Sequence, residues 1–175
     1  MDQSIIPECY VDTNLIETIV PPKKHYNHQK GCGTVAKVMK EKFADRFALG
    51  IIDKDKYQLD YLIEFSEIIN LNSLVLHKHA SRHHYIIQIN PAIERFILNN
   101  ADEVGVSLED FGLPSDFDRL KKASKTVNSK NDPRFKRLFK TLLKHNAKDV
   151  LKLSLWITYL KGHNYTADIE AVKAL

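Results

Sequence analysis

Cysteine is scarce in this chain: Cys9 and Cys32 are the two among 175 residues. They stand far apart and form no Cys-x-x-Cys pair. Neither a disulfide framework nor a cysteine-ligated zinc is expected, and both are read as reduced thiols. No apolar run approaches the roughly 18 residues that a membrane-crossing helix needs. The opening Met1-Asp2-Gln3-Ser4 has no basic stretch leading into an apolar one. No secretory signal is read there, and a cytoplasmic location is expected. There is no Walker A motif and no complete Gly-x-Gly-x-x-Gly, so the nucleotide-binding modes those motifs mark are not expected. Internal repeats and low-complexity tracts are also missing.

What is present is the composition of a soluble globular protein, 43% hydrophobic and 27% charged, in a chain long enough for a genuine core. The net charge of +4 hides an asymmetry. Between Arg119 and Lys152 there are twelve Lys/Arg against two Asp, and the remainder carries fourteen Lys/Arg against twenty Asp/Glu. Such a basic segment suits either a polyanion or a solvated helical face.

The apolar pattern alternates between short runs and helical periods. Ile5 to Val11 reads as a first strand ending at Asp12, and Leu15 to Val20 as a short helix or a second strand. Gly31-Cys32-Gly33 is a turn before a helix over 34–46. Phe47 to Ile52 reads as a buried strand. Leu59 to Ile69 reads as an amphipathic helix, and 74–76 and 85–89 as two more strands. Pro91 suits the first turn of a helix to about Asn99. This order predicts an α/β fold, a mainly parallel sheet flanked by helices over residues 1–100. Residues 101–175 read as a basic helical extension packed on it, with helices near 116–127, 133–145 and 149–160, and a last short one.

The candidate chemistry lies at strand ends. Asp53-Lys54-Asp55 closes the apolar run from Phe47. On a strand, residues i and i+2 point the same way, so two carboxylates share one spot. Close anions repel, and a hard cation such as Mg²⁺, or Mn²⁺, relieves that repulsion. Asp12 ends the expected first strand and would share an edge with Asp53 and Asp55. Glu8 and Glu17 are less well placed alternatives. Glu94, in the first turn after Pro91, would be a supporting acid. Lys30 and Lys37 flank the glycine turn and could add charge for a phosphate. Arg134, Arg137, Lys140 and Lys144 lie on the polar faces of the 133–145 helix and are candidates for nucleic-acid contact. His77, His79, His83 and His84 cluster, but the local sequence supplies no carboxylate or cysteine to complete a metal site. A polar hairpin end is expected there.

Taken in order, these residues resemble the Toprim fold, the metal-binding α/β domain of topoisomerases, bacterial-type primases and overcoming-lysogenization-defect nucleases. The features are an acidic residue ending the first strand (Asp12), a glycine turn before a helix (Gly31 to Thr34), Asp-x-Asp after the next strand (Asp53, Asp55), and Pro91-Ala92-Ile93-Glu94 after the last. The first strand of that family usually ends in Glu followed by Gly, where Asp12-Thr13 is taken to stand here. The resemblance implies a Mg²⁺-dependent nuclease or related phosphoryl-transfer protein with Asp12, Asp53 and Asp55 as metal ligands. The alternative is a non-catalytic module that binds nucleic acid or a protein partner. Tyr10-Val11-Asp12-Thr13-Asn14-Leu15-Ile16 also resembles the opening of PIN-domain ribonucleases, which implies a PIN-like ribonuclease as a further alternative.

Overall fold

Five strands form one sheet in the computed structural model, which describes residues 2–54 and 59–175. They are β1 (Ile5–Pro7), β2 (Ala48–Asp53), β3 (Phe65–Asn70), β4 (Leu74–His79) and β5 (His84–Ile89). Their order across the sheet is β1-β2-β5-β4-β3. β1 pairs with β2 and β2 with β5 in parallel. β5 pairs with β4 and β4 with β3 antiparallel. The sheet is therefore mixed, which corrects the expectation of a mainly parallel one.

The reason lies in residues 59–69. They form no amphipathic helix. Asp60–Glu64 makes a single 3₁₀ turn, and Phe65–Asn70 becomes the edge strand β3. The links 71–73 and 80–83 are too short for a crossover, which needs a dozen residues or more, so β3, β4 and β5 must fold back on one another. The apolar residues that suggested a helix do not share one buried face. Tyr61 and Leu62 are buried, while Ile63 is 75% exposed.

Among the described residues, seven α-helices complete the fold: α1 (Tyr10–Ile19), α2 (Cys32–Val38), α3 (Ile93–Glu103), α4 (Phe117–Ser124), α5 (Pro133–Lys144), α6 (Lys148–His163) and α7 (Ile169–Ala174). The two faces of the sheet are covered separately, because alternate strand residues point to opposite sides. Leu49, Ile51, Tyr85, Ile87 and Ile89 join the larger core with residues of α1, α3, α5 and α6. Ala48, Ile52 and Ile86 pack with Val35, Ala36 and Met39 on the other face. Gly50 is required on that second face: a Cβ there would stand 3.0 Å from both Val35 Cγ1 and Met39 Sδ. The larger core runs from Ile5 to Val172 and takes in Phe135, Leu138, Phe139 and Leu142 of α5, the apolar face expected from sequence.

The stretch read as one strand over 5–11 is divided. β1 ends at Pro7 and α1 begins at Tyr10. A reciprocal cap causes the break. The Asp12 N–H donates to Cys9 Sγ at 3.4 Å, and the Cys9 N–H donates to Asp12 Oδ2 at 3.2 Å, which satisfies two helix-end donors. Beyond it, Val11, Leu15, Ile16 and Ile19 recur at helical spacing and are buried. Asn14 then ties α1 to the chain entering α5. Its Nδ2 donates to the Ser129 and Asp132 carbonyls at 2.8 and 3.1 Å.

Candidate functional site

The carboxyl ends of the parallel strands β1 and β2 meet the N-terminal turns of α1 and α3 at a cavity of about 420 Å³. This is the edge at which open α/β sheets commonly place ligands. Its walls include Glu8, Cys9, Tyr10, His28, Lys30 and Asp53. Glu94, Lys121, Ser124 and Lys125 close it from α3 and the α4 end.

Glu8 follows the last residue of β1, and Asp53 is the last residue of β2. The two strand ends are joined directly: the Asp53 N–H donates to Glu8 Oε2 at 3.0 Å. Asp53 Oδ1 accepts from the Ile93 N–H at 3.0 Å. That amide opens α3, whose own cap position holds Ala92 with no side-chain oxygen to offer. The strand-end carboxylate thus caps a helix from across the sheet edge, where the helix dipole favours negative charge.

Asp12 is placed differently from its expected position. It lies in the first turn of α1 rather than at a strand end, and Glu8 holds the strand end instead. Asp12 is 1% exposed, with Oδ2 held by the Cys9 N–H and Oδ1 buried without a hydrogen-bond partner. Glu94, in the first turn of α3, is buried and its Oε1 accepts from Ser124 Oγ at 2.5 Å. Asp55 lies outside the described residues.

These acids shape one another's protonation. Burial pushes Asp53 up to about 9, and the charges of Asp12, Glu8 and Glu94 add to the shift. Burial raises Asp12 to about 6; the Cys9 hydrogen bonds oppose this and Glu94 reinforces it. The causes are desolvation and like charge, the two conditions that disfavour ionised carboxylates. Burial, followed by the charge of Asp12, pushes the Cys9 thiol far up. Cys9 stays a thiol and is no nucleophile.

The cations divide in the same way. Lys30 lines the cavity, whereas Lys37, exposed on α2, does not. Arg134 is held by Asp132, with its Nη2 2.8 Å from Oδ2, and its Nη1 donates to the Gly112 carbonyl at 3.0 Å. It therefore braces the start of α5. Arg137, Lys140 and Lys144 are exposed on α5 and lie outside the cavity wall. The other lysines at the cavity are Lys121 and Lys125, which belong to the basic segment but were not singled out from sequence. His28 was likewise passed over, and Glu8 was weighed only as a less well placed alternative to Asp12. Glu8 had a readable signal in Pro7, which sits where the β1 run ends.

The histidine cluster forms no part of this cavity. His79 Nδ1 accepts from the Ser81 and Arg82 N–H groups at 3.1 Å each, so Nε2 carries the proton toward Glu64 Oε2 at 3.0 Å. His84, fully buried, meets Tyr61 Oη at 2.7 Å through Nδ1. His77 Nε2 is 2.8 Å from Gln88 Oε1. The expected hairpin end is present, turning β4 into antiparallel β5, but His79 and His84 are buried there in a hydrogen-bonded and aromatic network.

Among the described residues, no group of three or more His, Cys, Asp or Glu side chains is placed to hold a metal ion, and no helix is long and apolar enough to cross a membrane. No protein-family model, curated protein or solved structure matches the chain.

Proposed function

We propose that the cavity is a Toprim-like centre for metal-dependent phosphoryl transfer, cleaving phosphodiesters of nucleic acid. One observation carries this reading: the acids Glu8 and Asp53 from two adjacent parallel strand ends and Glu94 from the first turn of α3 meet at one cavity, with the buried Asp12 close enough to raise Asp53. Glu8 supplies the strand-end glutamate that the resemblance expects, with Cys9 where that family has glycine. This order also favours the reading over the PIN-like one, whose residues 10–16 lie within α1.

The donor set suits Mg²⁺ or Mn²⁺, since it is all carboxylate oxygen and Asp12 Oδ1 is a buried acceptor without a partner. Glu8, Asp53 and Glu94 line the cavity, and Glu8 and Asp53 would have to draw together with the buried Asp12 to hold the ion. When bound, such an ion neutralises the acids and offsets charge on phosphate oxygens. The chain supplies the rest. Lys30, Lys121 and Lys125 draw phosphates to the cavity, and Arg137, Lys140 and Lys144 extend the positive surface along α5. Without a cation, Asp53 holds its proton at neutral pH.

The test is Mg²⁺- or Mn²⁺-dependent cleavage of DNA and RNA, single- and double-stranded, by the wild type, Glu8→Gln and Asp53→Asn. Cleavage lost in both variants supports the centre, and cleavage retained in both removes it. A second reading has its own observation. Asp12, Asp53 and Glu94 each already accept a hydrogen bond from the protein, as they would in a non-catalytic module that binds nucleic acid or a protein partner. Failure to bind millimolar Mg²⁺ or Mn²⁺ by calorimetry favours that module.

A further inference from the structure

Tyr10 and His28 form an aromatic platform in the cavity wall, and the chain around them holds it rigid. Asn27 and Gln29, on either side of His28, lace onto the outer edge of β1. The Asn27 N–H donates to the Ile5 carbonyl at 3.0 Å and the Gln29 N–H to the Pro7 carbonyl at 2.9 Å. The imidazole is pinned by Thr13, whose Oγ1 lies 2.9 Å from Nδ1. Tyr10, in the first turn of α1, stacks on it, with ring centroids 4.4 Å apart and planes 21° from parallel. Both rings line the cavity, where Tyr10 is half-buried.

A flat ring has two faces, and His28 takes one face of Tyr10. The exposed Lys30 ammonium stands 5.9 Å from the Tyr10 centroid. That is the outer limit of a cation–π contact, too distant to seal the ring against a flat ligand. Such a ligand would bury aromatic surface that the fold leaves in the wall. The same wall gathers ammonium groups from two directions: Lys30 ahead of α2, and Lys121 and Lys125 at the end of α4. A flat aromatic group joined to a phosphate is a nucleotide. The size agrees, since about 420 Å³ falls in the range of pockets that hold one small molecule. The acids do not bar a phosphate. Asp53, pushed up to about 9 chiefly by burial, is neutral at pH 7. Glu94 is held by Ser124 Oγ.

We propose that the cavity takes one unpaired nucleotide, its base stacked on Tyr10 as the third ring of the Tyr10–His28 stack and its phosphate held by Lys30, Lys121 and Lys125. This rests on the nucleic-acid part of the reading above and needs no metal ion. It narrows the substrate class to single strands, ends and loops. A base inside a duplex is covered on both faces by its neighbours and reaches Tyr10 only after leaving the stack. Stacking tolerates any sequence, because every base has a π-face.

Fluorescence anisotropy in EDTA at pH 7 tests this, with labelled single-stranded DNA and RNA and the matching duplexes. Tyr10→Leu should weaken single-strand binding roughly 10-fold and leave duplex binding nearly unchanged, while Tyr10→Phe, which keeps the ring, should bind both as the wild type does. Lys121→Ala should lower the slope of log affinity against log salt for single strands by about 0.7. In the wild type saturated with a nucleoside monophosphate or a short oligonucleotide, nuclear Overhauser effects should join the Tyr10 ring protons to the base. A folded Tyr10→Leu that binds single strands like the wild type, or that loses duplex binding equally, overturns the proposal. So does a saturated wild type without those Overhauser effects, a result that needs no variant. A monophosphate bound as tightly as an oligonucleotide keeps this site and removes the polynucleotide substrate. Binding of neither removes both. Failure of metal-dependent cleavage alone removes the phosphoryl-transfer centre and leaves this site standing.

Discussion

Two buried polar clusters stand at opposite ends of the same strand pair. The β2–β5 register sets Ala48 beside His84 at one end and Asp53 beside Ile89 at the other, about 16 Å apart at roughly 3.3 Å per residue. At the His84 end the partners are complementary: Tyr61 with His84 and Glu64 with His79. At the Asp53 end like charges meet, with Glu8, Asp12 and Glu94 all raising the proton affinity of Asp53. The first arrangement pairs these groups within the protein, although His84 Nε2 is buried without a hydrogen-bond partner among the described residues. The second carries a cost in the folded protein that a cation would relieve. Matched partners mark a group that serves the fold, and crowded like charges mark one that serves a ligand.

The widest separation between the two ends should appear in activity. Glu8→Gln and Asp53→Asn should each lower cation-dependent cleavage by about 10²-fold or more while circular dichroism stays native. His79→Ala should leave the turnover of folded protein essentially unchanged. Stability should show the converse. Tyr61→Phe and His79→Ala each strip a partner from that network and should lower unfolding free energy by about 1–3 kcal/mol in denaturant titrations. Asp53→Asn keeps an acceptor for the Ile93 N–H and removes a group that must take up a proton to be buried. It should raise metal-free stability at pH 8 by roughly 1–3 kcal/mol.

The pH dependence has opposite signs at the two ends. A carboxyl raised to about 9 in the fold binds its proton more tightly folded than unfolded. Its contribution is lost as pH rises toward 9. His84, lowered to about 4 chiefly by burial, binds its proton more tightly when unfolded. Its contribution is lost as pH falls from the ordinary imidazole value toward 4. The metal-free melting temperature should therefore fall between about pH 6.5 and 9 in the wild type and stay nearly flat there in Asp53→Asn. The smallest effect is on nucleic-acid affinity. Charge reversal of Arg137, Lys140 and Lys144 should reduce the slope of log affinity against log salt by about 2–3. Arg134→Ala should weaken the start of α5 and leave that slope nearly unchanged.

How much of this was legible in the sequence differs between the two ends. Asp53 was readable because a fully buried strand has one obvious polar exit. Glu94 was readable because Pro91 announced the segment before α3. Glu8 was ranked below Asp12 because Tyr10-Val11 prolongs the apolar impression past Pro7, while the cap between Cys9 and Asp12 that starts α1 uses a thiol, a weak capping signal. The histidine end was misjudged because a run such as His83-His84 looks solvated. Burial of His84 depends on Tyr61, and Tyr61 is placed by a 3₁₀ turn that the apolar residues of 59–69 disguise as a helix. Lys121 and Lys125 were hidden within a long basic segment, since only the packing of α4 beside α3 decides which lysines face the acids.

Calorimetric titration of the metal-free protein with Mg²⁺ and Mn²⁺ at pH 8, repeated in buffers of different ionisation enthalpy, tests the central claim most directly. Saturable binding in the millimolar range or tighter, with proton release that is lost in Asp53→Asn, is the expected result. No binding at millimolar concentrations of either ion, or binding and proton release that are unchanged in Asp53→Asn, would contradict it.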